Sequence, residues 1–224
     1  MNSLFNTLRN IFVPRALERH ARRCISNCEK IKDVASQLNL TDLIELANLA
    51  QFIAICSLDI STMTRHILLP IRSWKRTLHA RHLALALFEL SDDMPQLLGK
   101  SVRAIIARCS CPEQYLHDLD VCRHNLSELM CKHTESLLDV RRITAAHRDH
   151  DAMVLLKTID NVNVDKMMDL AHSTIYWCAD TLGYLQRLTN ECSETTMKMM
   201  ANKGGQGTLH KVSGPLTPDV RRNT

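Results

Sequence analysis

The spacing of apolar residues along the chain is typical of long amphipathic helices. From residue 15 to 38 the apolar positions recur in alternating steps of four and three, which places them on one helical face. They are Leu17, Ala21, Cys24, Cys28, Ile31, Ala35 and Leu38. The same alternation runs from Val164 to Leu185, in a last helix that starts within residues 158–172. Helices with this spacing pack nearly antiparallel in bundles.

The stretches between these two helices are also predicted to be largely helical. Residues 41–68, capped by Asn39 or Thr41, are apolar on more than one side, which indicates a central helix that ends before Pro70. We predict further helices over 73–90, over 95–108 after a break at SDDMP, and from about 113 to 140. No stretch alternates apolar and polar residues as a strand does. The chain is therefore predicted to be all-α, an antiparallel bundle of four to five long helices.

The two ends of the chain are predicted to lie apart from this bundle. Residues 1–14 form a short amphipathic segment interrupted at Pro14, and residues 15–201 form the bundle. Residues 202–224 are rich in turn formers and lack periodicity, so we expect a disordered tail. Both ends are basic, with five Arg and one Glu in residues 1–23. These ends either contact an anionic partner such as nucleic acid or keep the chain soluble.

Composition narrows the class of protein further. Aromatic residues make up 4% of the chain, with six Gly and six Pro, which argues against β-sandwiches and barrels. The nine cysteines are scattered without a CxxC pair, and the first residues lack the apolar core of a signal peptide. We therefore expect reduced thiols and a cytoplasmic protein. No apolar run reaches the ~18 residues of a membrane span, so no transmembrane segment is predicted.

The sequence RRITAAHRDHD, residues 141–151, follows one long amphipathic helix and precedes another. It places Arg141 six residues before His147, with two alanines that leave room beside the backbone. The stretch resembles the motif of the HEPN (higher eukaryotes and prokaryotes nucleotide-binding) superfamily in its abortive-infection-like branch, approximately Arg–Asp/Asn–Lys–x–x–Ala–His–x–Asp. The positions that match are Arg141, Ala146, His147 and Asp149, and those that depart are Arg142 and Ile143.

This resemblance implies an HEPN-like bundle that forms a homodimer and cleaves RNA without a metal ion, as a toxin or phage-defence effector that can have an antitoxin or another protein as partner. Histidine can take the proton of the ribose 2′-hydroxyl, and arginine can hold the charge on phosphorus. The resemblance assigns His147 as acid/base and Arg141 as phosphate stabiliser. It assigns contacts with the RNA to Arg142, Arg148 and His150. Asp149 is assigned as a partner that orients the catalytic side chains.

Two alternative functions remain open. The departures at Arg142 and Ile143 favour a non-catalytic HEPN-like module that binds a nucleotide or a protein. The alternative to any functional role is that Arg141, Arg142 and His147 only cap a helix C-terminus, where cations are favoured. The eleven histidines offer the second alternative, a bundle metalloprotein. It would use two pairs spaced three apart, His79 with His82 and His147 with His150; otherwise these residues form a partly buried polar edge. No phosphate-binding loop or other cofactor motif occurs, so no cofactor is predicted.

Overall fold

The structure is a computed structural model that describes residues 2–69, 73–135, 137–138, 141 and 163–203. Its helices are α1 (Asn2–Gln37), α2 (Thr41–Leu68), α3 (Ser73–Gln96), α4 (Val102–Arg108), α5 (Gln114–Cys131) and α6 (Val164–Lys203), with a π-helical turn at Leu97–Ser101. No strand occurs in these described ranges. The prediction of an all-α helical bundle is therefore confirmed.

Helices α1 and α2 form an antiparallel hairpin with a tight turn. Lys32 on α1 donates to Gln51 on α2 at 2.5 Å, and Glu18 on α1 pairs with Arg65 on α2 at 3.2 Å. The earlier residue of α1 thus meets the later residue of α2, so the two helices run in opposite directions. Asn39 has φ 55°. The Leu40 N–H donates to the Ala35 carbonyl at 2.8 Å, which closes a Schellman motif. Asn39 thus terminates α1 because asparagine tolerates the left-handed conformation, and the prediction that it caps α2 is wrong.

Helix α2 lies at the centre of the bundle and packs against α1, α3 and α6. Its fully buried side chains include Leu46, Ile53 and Ile60. By length and composition alone this helix could also cross a membrane. The packing against three neighbours accounts for the same apolarity, because a helix surrounded by others buries residues on several sides.

The break after α3 lies further along the chain than the sequence predicted. The helix continues through SDDMP and includes Pro95, and the helical geometry is lost at Gly99 (φ −89°, ψ −107°) inside the π-helical turn. Proline removes one backbone donor, so it weakens the helix near its end without stopping it here. Glycine is the poorest helix former after proline, and the chain bends there.

Helix α1 also differs from its prediction, because it begins at Asn2 and runs through Pro14, where an interruption was expected. A proline inside a helix often produces a bend and not an end. At the other terminus α6 reaches Lys203, and residues 204–224 of the predicted tail lie outside the described residues.

Helices α5 and α6 form a second antiparallel pair that is fixed by two aromatic side chains. The Trp177 indole N–H donates to the Cys122 carbonyl at 2.8 Å, and the Tyr184 hydroxyl donates to the Tyr115 carbonyl at 3.1 Å. Helix α5 ends at Cys131, before the predicted end near residue 140. Helical geometry resumes at Thr134, so one turn interrupts the predicted long helix.

We expect the core of α2 to control stability. Ile53 is 0% exposed and Ile55 on the same helix is 43% exposed. Ile53→Ala should lower the free energy of unfolding by about 2–5 kcal/mol, because it leaves a cavity in a packed core. Ile55→Ala should cost less than about 1 kcal/mol. Urea denaturation followed by circular dichroism measures both, and equal losses would contradict the placement of α2.

Candidate functional site

The structure describes one of the six residues that the sequence predicted for the site. Arg141 is helical and exposed. The other five, Arg142, His147, Arg148, Asp149 and His150, lie outside the described residues.

The guanidinium of Arg141 lies over the ring of Phe88, with Cζ at 4.5 Å from the ring centroid. This distance is within the range of a cation–π interaction. Phe88 belongs to α3 and is 8% exposed, so the surrounding core holds its ring in place. The contact therefore favours one position of the exposed Arg141 side chain on the surface of the bundle.

The helical periodicity explains how Arg141 reaches α3. Leu137 lies one turn before Arg141 and is 1% exposed. Its N–H donates to the His133 carbonyl at 3.0 Å, as in a helix. Leu137 and Arg141 are both helical and lie four positions apart, the spacing at which two side chains share a helical face.

The stacking of Arg141 leaves its hydrogen-bonding capacity available. A guanidinium carries five N–H donors in its plane, and these point away from a ring that covers its face. Such a group can therefore stack on an aromatic ring and bind a phosphate with its edge. Phe88 could not be identified from the sequence. A single aromatic residue in the apolar run HLALALFEL is typical of a core position, and it lies far from Arg141 in the chain.

The histidines pair differently from the sequence prediction. The rings of His66 on α2 and His79 on α3 stack with centroids 4.9 Å apart, while His82 is exposed. Among the described residues no group of three or more His, Cys, Asp or Glu side chains could hold a metal ion. The second predicted pair, His147 and His150, lies outside those residues.

Eight of the nine cysteines are buried or half-buried and have the environment of packed thiols, while Cys131 is exposed. All nine are free. Burial raises the pKa of Cys28 to about 11 and that of Cys56 to about 12. Cys111 and Cys192 approach to 3.6 Å between their sulfur atoms, and burial raises the pKa of both thiols. A thiol is a good nucleophile only as the thiolate, so these shifts make catalysis by these cysteines unfavourable.

A groove of about 440 Å³ lies between α2 and the segment from α3 to α4. Its apolar floor includes Leu49, Phe52 and Ile105, and its carboxylates are Glu45 and Asp93. Two carboxylates at one groove repel a polyanion. The acidic groove is therefore unsuited to RNA, unlike the surface at Arg141.

Comparison of the chain with protein-family models, with curated proteins and with solved structures found no match.

We expect stability to fall at acidic pH because burial of His79, whose ring stacks on His66, disfavours its charged form. Burial lowers the pKa of His79, and the charges of His66, His82 and Lys75 lower it further. The folded protein then binds fewer protons than the unfolded chain, whose histidine has a pKa near ~6.5. The stabilisation is thus complete above that pH and is lost as pH falls through the folded pKa.

Unfolding midpoints of wild type and His79→Gln from pH 8 to pH 5 measure this effect. The variant should lose less stability over that range than wild type, while His117→Gln on α5 serves as control. Identical pH dependence of wild type and His79→Gln would argue against the assignment.

Proposed function

We propose that the chain is a metal-independent endoribonuclease of the HEPN type, active as a homodimer, and an effector of the toxin or phage-defence kind. The observation that carries the proposal is the exposed guanidinium of Arg141 stacked on Phe88. The resemblance requires a cation at this position as phosphate stabiliser, and a guanidinium stacked on a ring keeps its N–H donors in the plane of the group. A side chain that only caps a helix end needs no aromatic platform.

The proposed chemistry is an attack of the ribose 2′-hydroxyl oxygen on the adjacent phosphorus. His147 takes the hydroxyl proton, the new P–O bond forms, and the bond to the 5′-oxygen of the next nucleotide breaks. A protonated histidine returns a proton to that leaving oxygen. Arg141 stabilises the negative charge that builds on the phosphoryl oxygens. Two protomers supply the two motifs across a dimer cleft, and no metal ion takes part.

The second candidate function is a non-catalytic helical module that binds a nucleotide or a protein partner. The observation that favours it is the pair of departures from the motif, Arg142 in place of a small polar residue and Ile143 in place of lysine. In this function Arg141 would bind a phosphate or a carboxylate without a chemical step. Cleavage of RNA separates the two functions.

RNA cleavage in excess EDTA tests the proposal. Wild type should cut a mixed single-stranded RNA pool, His147→Ala should reduce the rate by about 10²–10⁴, and Arg141→Ala by about 10²–10³. Arg141→Lys should recover only part of the loss, because lysine lacks the planar donors.

The matched control for these variants is Arg103→Ala, which removes an exposed arginine that pairs with Asp120 on α5. It should cut at the wild-type rate. Absence of cleavage by folded, dimeric wild type on any RNA would overturn the enzyme and leave the binding module.

We expect Phe88 to act as a positioning residue for Arg141. Phe88→Leu keeps an apolar side chain of similar size in the core but removes the ring face. It should lower kcat about twofold to fivefold, the equivalent of the ~0.5–1 kcal/mol of an exposed cation–π contact. Phe88→Tyr should keep the wild-type rate, since it retains the ring. Phe52→Leu, in the acidic groove, is the control, and a loss there equal to that of Phe88→Leu would contradict the assignment.

A further inference from the structure

A second cavity, of about 370 Å³, lies between α1 and α2 and is lined by Arg15, Glu18, Arg19 and Arg65. Arg15 and Arg19 are one turn apart on α1, and Arg65 reaches the cavity from the last turn of α2. The hairpin register brings them together, since Glu18 and Arg65 face each other across it at 3.2 Å. Three arginines and one glutamate therefore line the same cavity.

The carboxylate of Glu18 is incompletely satisfied. Glu18 is 8% exposed, and its Oε1 is the atom that lies closest to Arg65. That contact is an ion pair without the geometry of a hydrogen bond, because Oε1 has no hydrogen-bond partner among the described residues. A buried acceptor in this state gains free energy when a ligand donates an O–H or N–H to it.

The positive charge of the cavity exceeds what Glu18 neutralises. Arg65 offsets the charge of Glu18, while Arg15 and Arg19 are exposed and have no acidic partner in the described part of the chain. Arg22 and Arg23 lie about one turn beyond Arg19 and are exposed as well. The basic surface therefore continues along α1 from the cavity.

The chemistry of the cavity selects a ligand that is an anion and a hydrogen-bond donor at once. Arginine forks suit phosphate oxygens, and Oε1 of Glu18, which has no hydrogen-bond donor among the described residues, suits a hydroxyl. A carboxylate beside the arginines disfavours anions that carry no donor, such as a bare 2′-deoxy backbone. A ribose with its neighbouring phosphate supplies both groups.

We propose that this cavity binds the backbone of single-stranded RNA, with a phosphate on Arg15, Arg19 and Arg65 and the adjacent ribose 2′-hydroxyl donating to Glu18. The inference rests on the proposed function, because it describes a second position, separate from Arg141, at which the same enzyme binds its RNA substrate. It makes Glu18 the residue that distinguishes RNA from DNA. Arg22 and Arg23 then lie where following phosphates would pass.

Binding, and not cleavage, tests the site. Fluorescence anisotropy in EDTA compares three labelled single strands of one sequence on the His147→Ala protein: RNA, DNA and 2′-O-methyl RNA. RNA should bind about tenfold more tightly than either of the others, because only its 2′-hydroxyl can donate to Glu18. Equal affinities for the three strands would overturn the role of Glu18, with no change in the protein required.

Two variants in the same background locate the effect. Arg19→Ala, at an exposed position, should weaken RNA binding about tenfold and reduce the slope of log K against log salt by about one. Glu18→Met, checked by circular dichroism for folding, should bind RNA and DNA equally. Arg187→Ala, which removes an exposed arginine paired with Asp118 at 3.5 Å, should leave binding unchanged. An Arg19→Ala protein that binds RNA like Arg187→Ala would overturn the site.

The outcomes also separate this site from the proposed enzyme. If wild type cleaves RNA but Arg19→Ala does not weaken RNA binding, the proposed cavity site is overturned and the proposed enzyme activity stands. If wild type does not cleave RNA but binds RNA more tightly than DNA and loses affinity in Arg19→Ala, the proposed enzyme activity is overturned and the cavity site stands. Arg19-dependent binding to phosphatidylserine vesicles without RNA binding would overturn the RNA ligand in favour of a membrane surface.

Discussion

The burial of α2 is the constraint on which the rest of the structure depends. A helix of 28 residues that is apolar on several sides must be covered on those sides, and α1, α3 and α6 do so. Covering it fixes α1 antiparallel to α2 and holds α3 beside it, through side chains such as Ile53 and Leu83 that are 0% exposed. The charged residues of these helices therefore lie mainly on outer faces, at helix ends or in ion pairs, with Arg81 on α3 an exception at 8% exposed.

This restriction determines where cations can act on a ligand. Arg65 lies in the last turn of α2, where the register places it opposite Glu18 and beside the arginines of α1. Arg141 lies four residues after the buried Leu137, and its guanidinium stacks on the ring of Phe88 in α3. In both places a guanidinium lies against packed helices and has no hydrogen-bond acceptor within the described ranges, a state suited to phosphate binding. The acidic groove beside Glu45 and Asp93 has the opposite charge and would repel RNA from that face.

The sequence predicted what depends on periodicity and missed what depends on distant pairing. The bounds of α2 follow from its pattern, and Thr41–Leu68 is as predicted. The end of α3 was misplaced because Pro95 is a strong local signal for a helix end. The helical geometry is lost instead at Gly99, and no local pattern marks that position as a bend. Within the candidate site, Arg141 could be found from its spacing to His147. The roles of Phe88 and Arg65 could not be predicted, because each depends on a contact with a residue that is distant in the sequence. Phe88 contacts Arg141, and Arg65 lies beside the arginines of α1.

The chemical nature of the RNA ends tests the central claim most directly. Attack by the 2′-hydroxyl leaves a 2′,3′-cyclic phosphate on one fragment and a 5′-hydroxyl on the other, and the account predicts these ends in products formed by wild type in EDTA. Mass spectrometry of a short cleaved RNA identifies them. Fragments with a 3′-hydroxyl and a 5′-phosphate would contradict the assignment of His147 and Arg141, because water and not the ribose would then be the nucleophile.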